Sequence, residues 1–193
     1  MATRLTKTVF LECTGDCPVI PEIKNDEWLQ SLDRSDSEIV YILYGDILTI
    51  PGIVEQVKRR GKYALVHLDL IDGLSPREIS VDFIKKYTKA DGIISTKQVV
   101  IKRANELGLF SVQRFFMMDG ITYDNIAKYV RTCDPDVVEL MPSGLAKVIR
   151  YLVEIIHRPV VAAGLTQDKE DVIGALSAGA VAVATSNREM WEC

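Results

Sequence analysis

The chain has 193 residues, 48% of them hydrophobic and 26% charged, which is enough for one buried core and too few for two full-sized domains. Glycine and proline stand at ordinary levels, excluding a collagen-like, low-complexity or wholly disordered polymer. With 23 basic and 27 acidic residues the net charge is −4, so any contact with a polyanion must come from a local patch and not from the field of the whole molecule.

At the start of the chain, Arg4 and Lys7 precede only the short apolar stretch 9–11, too brief for a secretory signal core. Residues 1–17 thus form an N-terminal arm, either loose or laid as a plug across one end of the domain that follows, residues 18–193. Apolar or β-branched runs then begin near Pro18, Ile39, Tyr63, Gly92, Phe110, Val137, Pro159 and Val181, giving eight expected strands. The intervals hold helical patterns at 25–34, 47–60, 76–88, 97–107, 123–133, 144–157 and 168–178, with a truncated eighth at 187–193. Gly61, Gly108 and Gly179 stop three of these, and Ser75 followed by Pro76 is the expected start of another.

Eight strand and helix units with continuously apolar strands predict a closed parallel (β/α)8 barrel of the α/β class, with an open doubly wound sheet as the alternative. The longest uncharged run, 172–187, falls short of the roughly 20 residues that a membrane-spanning helix needs, so no membrane partner and a cytoplasmic location are expected. Cys13, Cys17, Cys133 and Cys193 form no CxxC pair, so neither a disulfide framework nor a zinc site is expected. Two histidines, one of them ending a helix, do not make a metal centre, and no cofactor is called for.

In a barrel of this kind the working site lies at the carboxyl ends of the strands. Those positions carry Glu22 and Lys24, Tyr44 to Asp46, His67 and Asp69, Ser95 to Lys97, Gln113 and Arg114, Glu139, Gly164, and Thr185 to Asn187. Alternation puts Leu65, His67 and Asp69 on one face of the third strand and Val66, Leu68 and Leu70 on the other, so the first set points inward. These groups are either a structural network of ion pairs and hydrogen bonds or a ligand mouth. His67 lacks a companion nucleophile, which leaves no assigned catalytic residue. Gly164 at the end of the seventh strand and the Thr185, Ser186, Asn187 cluster after the eighth read as a phosphate cradle built from backbone amides and hydroxyls; the plain alternative is a turn glycine and a helix cap.

The motifs LYGDI (43–47), VHLDLIDGLS (66–75), KADGIIST (89–96), QRFF (113–116), VELMP (138–142) and AAGL (162–165) together resemble the glycerol uptake operon antiterminator family over nearly the whole chain. The resemblance implies a (β/α)8 barrel that senses glycerol 3-phosphate and acts on the untranslated leader of messenger RNA to prevent premature termination. On that footing Gly164, Leu165, Thr185 and Ser186 hold the phosphate, Glu22, His67, Asp69 and Glu139 meet the glycerol hydroxyls, Lys97 and Arg114 balance the charge, and Lys24 is a further ligand-binding residue. Basic residues at Lys58, Arg59, Arg60 and Lys62, and at Lys85, Lys86 and Lys89, end two successive helices and offer either an RNA-facing patch on the amino-terminal rim or simply solvated helix ends. A second reading keeps the same mouth but makes the chain an isomerase, aldolase or lyase of a small phosphorylated metabolite; a third treats the polar mouth as structural. A homo-oligomer is compatible with all three.

Overall fold

The computed structural model describes residues 4–192. Eight parallel strands close on themselves in sequence order: β1 (Val19–Ile23), β2 (Ile39–Ile42), β3 (Tyr63–His67), β4 (Gly92–Ser95), β5 (Phe110–Phe116), β6 (Val137–Met141), β7 (Val160–Ala163) and β8 (Ala182–Thr185), with β8 returning to pair with β1. The open sheet is therefore set aside. Crossovers are made by α2 (Asp26–Gln30), α3 (Ile50–Arg59), α4 (Glu78–Tyr87), α5 (Gln98–Glu106), α6 (Gly120–Cys133), α7 (Ala146–Ile156) and α8 (Lys169–Ser177). No helix among the described residues is long and apolar enough to cross a membrane.

Strand alternation divides the buried residues into two sets. Val40, Ile42, Ala64, Val66, Ile93, Val138, Leu140 and Val183 face the helices, whereas Ile20, Tyr41, Leu65, Ile94, Val112, Val137, Val161 and Ala184 fill the lumen. Ahead of β1, α1 (Lys7–Asp16) packs with the lumen set: Phe10 is fully buried and stacks on Phe110 of β5 with ring centroids 5.1 Å apart. Arg4 donates to the carbonyl of Gly108, 2.9 Å away. Residues 4–16 thus lie against the amino-terminal end of the barrel.

Several helix starts differ from the sequence expectation. The third helix begins at Ile50 and not at 47, because the Asp46 carboxylate accepts from the amides of Leu48 and Thr49, both at 2.8 Å, and holds those residues in a turn. The fourth begins at Glu78, since Arg77 is still extended, so Ser75 does not cap it through its side chain. The sixth starts earlier, at Gly120, capped by Asp119. After β8 there is only a 3-10 turn, Arg188–Met190, capped by the side chain of Asn187 and not by that of Ser186. Cys13 and Cys133 are free and buried; Cys17 is disulfide-bonded, a departure from the expectation of unbridged thiols.

Candidate functional site

At the carboxyl ends of the strands lies a cavity of about 630 Å³ lined by residues from β1, β2 and β5 to β8 and the loops that follow them. Small inward residues on the last two strands, Ala163, Ala182 and Ala184, leave this side of the lumen open where larger chains such as Tyr41 and Leu65 fill the other. Of the expected site residues, Glu22, Lys24, Arg114, Gly164, Leu165, Thr185 and Ser186 line the cavity together; His67, Asp69, Lys97 and Glu139 do not.

Gly164 and Leu165 both adopt left-handed backbone, with φ of 73° and 59°. A Cβ at Gly164 would lie 2.5 Å from Cε of Met141, so glycine there serves both the turn and the close approach of β6. The Gly164 carbonyl is fixed by the amide and hydroxyl of Ser143, at 3.0 and 2.8 Å, and Thr166 donates to the same hydroxyl at 3.1 Å. With the carbonyl held in this way, the amides of Gly164, Leu165 and Ser186 have no acceptor among the described residues. Across the mouth, the loop after β8 is fastened from below: the Trp191 indole donates to the Thr185 carbonyl at 2.9 Å, and the Asn187 amide donates to the Thr185 hydroxyl at 3.0 Å. The Asn187 side chain reaches back to the carbonyl of Gln167 at 2.8 Å, tying the two loops to each other.

Lys24 is the exposed cation of the rim. Its ammonium donates to the Ser186 hydroxyl at 2.8 Å and lies 5.5 Å from the centroid of the Trp28 ring. Free amides, hydroxyls and one ammonium thus converge at the ends of β1, β7 and β8, an arrangement chemically suited to an anion.

Beneath them lies a buried ionic cluster. Arg114 donates through Nε to Glu139 at 2.5 Å, and through Nη2 to Glu139 at 3.2 Å and to Glu22 at 2.9 Å. It lines the cavity with its Nε and Nη2 already on the two carboxylates, and Glu139 is wholly buried. Burial and the neighbouring Glu139 push the Glu22 carboxyl up to about 7 in spite of the guanidinium. His67 points inward as expected, but its Nδ1 is buried without a partner; burial and the Arg114 charge push its pKa down to about 3, so the ring is neutral. Asp69 serves the neighbouring strand: it accepts from the Ser95 hydroxyl at 2.5 Å and from the amide and hydroxyl of Thr96 at 2.7 and 2.8 Å. Lys97 is exposed at the start of α5.

The basic residues expected on the opposite rim are neighbours, and most of them are engaged. Lys58 pairs with Asp91 at 2.6 Å, Glu55 bridges Arg59 and Lys89 at 3.5 and 3.1 Å, and Arg60 pairs with Asp33 at 3.1 Å. Lys62 donates to the carbonyls of Ser35 and Ser37, and Lys86 lies 5.1 Å from the Tyr87 ring centroid. Lys85 has no ion-pair partner among the described residues; with Arg4 and Lys58 it lines a second cavity, of about 400 Å³, beside the arm.

Sequence reasoning overlooked Tyr41, whose hydroxyl is fully buried without a partner near Glu139, Arg114 and Glu22. The alternation of Ile39, Tyr41 and Leu43 already placed it in the lumen. Thr166 and Ser143 were also missed, since nothing local announces a bond between loops on neighbouring strands.

Comparison with known proteins adds the family. Residues 19–191 match the family described as glycerol-3-phosphate responsive antiterminator. The chain is 41% identical over 174 residues to an uncharacterized protein, YgcP, of Escherichia coli K12, covering 90% of this chain and 91% of that one. A crystal structure of the glycerol uptake operon antiterminator regulatory protein from Listeria monocytogenes superposes with a TM-score of 0.88 at 29% identity, covering 92% of this chain and 96% of that one. An antiterminator-related protein from Thermotoga maritima does so with 0.79 at 30% identity, over 91% and 98%. The chain belongs to the glycerol-3-phosphate responsive antiterminator family.

Proposed function

We propose that this barrel is a cytoplasmic sensor of glycerol 3-phosphate that controls transcription antitermination on a leader messenger RNA. The phosphate sits against the amides of Gly164, Leu165 and Ser186 with the Thr185 and Ser186 hydroxyls nearby, and Lys24 supplies the cation. Glu22, on the inner wall of the same cavity, forms a hydrogen bond with a glycerol hydroxyl. The observation that carries this reading is the group of three unpaired amides and one ammonium around a single mouth in a chain of this family. Main-chain donors fixed by other bonds suit a phosphate because they are already oriented before it arrives.

For the RNA side, the amino-terminal rim is the candidate surface. Lys85, beside the arm, offers the least committed positive charge there, since Lys58 next to it is paired with Asp91. Thermal unfolding with glycerol 3-phosphate, glycerol and inorganic phosphate tests the ligand: at 100 times its dissociation constant the true ligand stabilises by about 2.7 kcal/mol. Glycerol 3-phosphate should exceed both fragments. Titration of a leader transcript at low salt, with ligand present, tests the RNA role; affinity should fall as salt rises, and no binding at low salt would remove that part. The enzyme reading in its Schiff-base form needs a lysine in the mouth, and Lys24 is there. Borohydride trapping with sugar phosphates separates the two, since a sensor leaves no covalent adduct.

A further inference from the structure

The inner wall of the mouth carries an unequal number of charges. Two buried carboxylates, Glu22 from β1 and Glu139 from β6, share the one guanidinium of Arg114 from β5. The other polar groups facing this cluster are Tyr41 from β2, with an unpartnered hydroxyl, and His67 from β3, which is neutral and has Asp69 beyond it. Lys24 adds a positive charge, but its ammonium is turned to Ser186 at the rim, where a phosphate would engage it. The buried set therefore holds one more negative charge than positive.

Glu22 is the carboxylate of this set that faces the cavity, beside Arg114, while Glu139 lies outside the lining and is wholly buried. Strand pairing sets Pro21 opposite Thr185, which puts Glu22 next to the loop that carries Ser186. A phosphate dianion bound there adds two negative charges to a low-dielectric wall that is already negative. Arg114 has no charge to spare, and Lys24 neutralises only part of the addition. The adjustment open to the wall is a proton on Glu22, which removes the repulsion and converts the carboxylate into an O–H donor. Burial already favours the protonated form.

We propose that binding of a phosphorylated ligand in this mouth is coupled to uptake of one proton by the Glu22 carboxyl, which makes Glu22 the residue that sets the charge balance of the bound state. The inference rests on the phosphate site of the proposed function. Affinity then falls as pH rises above neutrality, although the ligand's own charge no longer changes: its second ionisation, near pH 6, is complete.

The test is calorimetric titration of the full chain with glycerol 3-phosphate at pH 8 in buffers of different ionisation enthalpy. Wild type should take up close to one proton per ligand, and the dissociation constant should rise by up to about tenfold per pH unit between pH 7.5 and 8.5. Glu22→Gln, which lacks the titrating carboxyl, should show no proton uptake and a flat pH profile at whatever affinity it retains. In wild type labelled with carbon-13, the Glu22 carboxyl resonance should move upfield on binding, a readout that needs no variant. Heat independent of buffer, an unmoved resonance, or proton uptake undiminished in Glu22→Gln would each overturn the inference while leaving the ligand site standing. Absence of any binding would instead bring down the proposed function, and this inference with it.

Discussion

Arg114 and Glu22 lie 92 residues apart in sequence and 2.9 Å apart in space, joined across the barrel interior with Glu139 as the third member. Removing the cation by Arg114→Leu leaves two carboxylates buried without compensation. Urea unfolding at pH 8 should show a loss of about 3–5 kcal/mol, shrinking as pH falls and the Glu22 carboxyl takes up a proton. An equal loss at pH 8 and pH 5 would show that packing, and not charge, accounts for it.

His67 and Glu22 should give the stability profile opposite slopes. His67 is neutral in the fold, its pKa pushed down from 6.5 to about 3, so its contribution is fully present above pH 6.5 and is lost as pH falls toward 3. Glu22 is pushed up from 4.5 to about 7, so its contribution is present below pH 4.5 and is lost as pH rises through 7. His67→Gln should therefore be less acid-sensitive than wild type between pH 6.5 and 4, by an amount approaching roughly 1.4 kcal/mol per pH unit. Glu22→Gln should flatten the decline between pH 5 and 7. Chemical denaturation at half-unit pH steps measures both.

Gly164→Ala should cost roughly 1–2 kcal/mol of stability from its left-handed backbone, since the methionine in the way can move aside at its flexible end. Its larger effect should be on the ligand, with glycerol 3-phosphate affinity falling at least tenfold in calorimetry. Unchanged affinity would refute the amide cradle.

The two lysines expected at the mouth should separate cleanly. Lys24→Met removes a charged donor worth about 1.5–3 kcal/mol, or roughly 10- to 150-fold in affinity. Lys97→Met should leave affinity unchanged, because Lys97 is exposed and outside the cavity lining. Equal losses in both would point to a long-range field and not to a contact.

Phe10→Ala should destabilise by about 3–5 kcal/mol, as expected for a fully buried ring stacked on another. Ligand affinity measured on the folded variant should not change, since the ring lies at the end of the barrel opposite the mouth. A loss of affinity would mean that the two ends communicate.

Much of the fold was legible because strands buried on both faces read as uninterrupted apolar runs, and every expected strand start lies within one residue of the observed one. Alternation also put His67 on the inward face. What sequence could not show was non-local. Nothing near Arg114 announces that its partners are Glu22 and Glu139. Nothing near Asp69 shows that Ser95 and Thr96 occupy it. The fate of the arm was equally hidden, because α1 carries few apolar residues and only the barrel's own Phe110 gives Phe10 a place to go.

Seating α1 in the rear of the barrel turns the lumen into a blind well. Among the described residues, the cavity that reaches Arg114 is bordered by the rim carrying Lys24, Met118 and Leu165. A ligand held there as proposed would have to pass whatever settles on that rim.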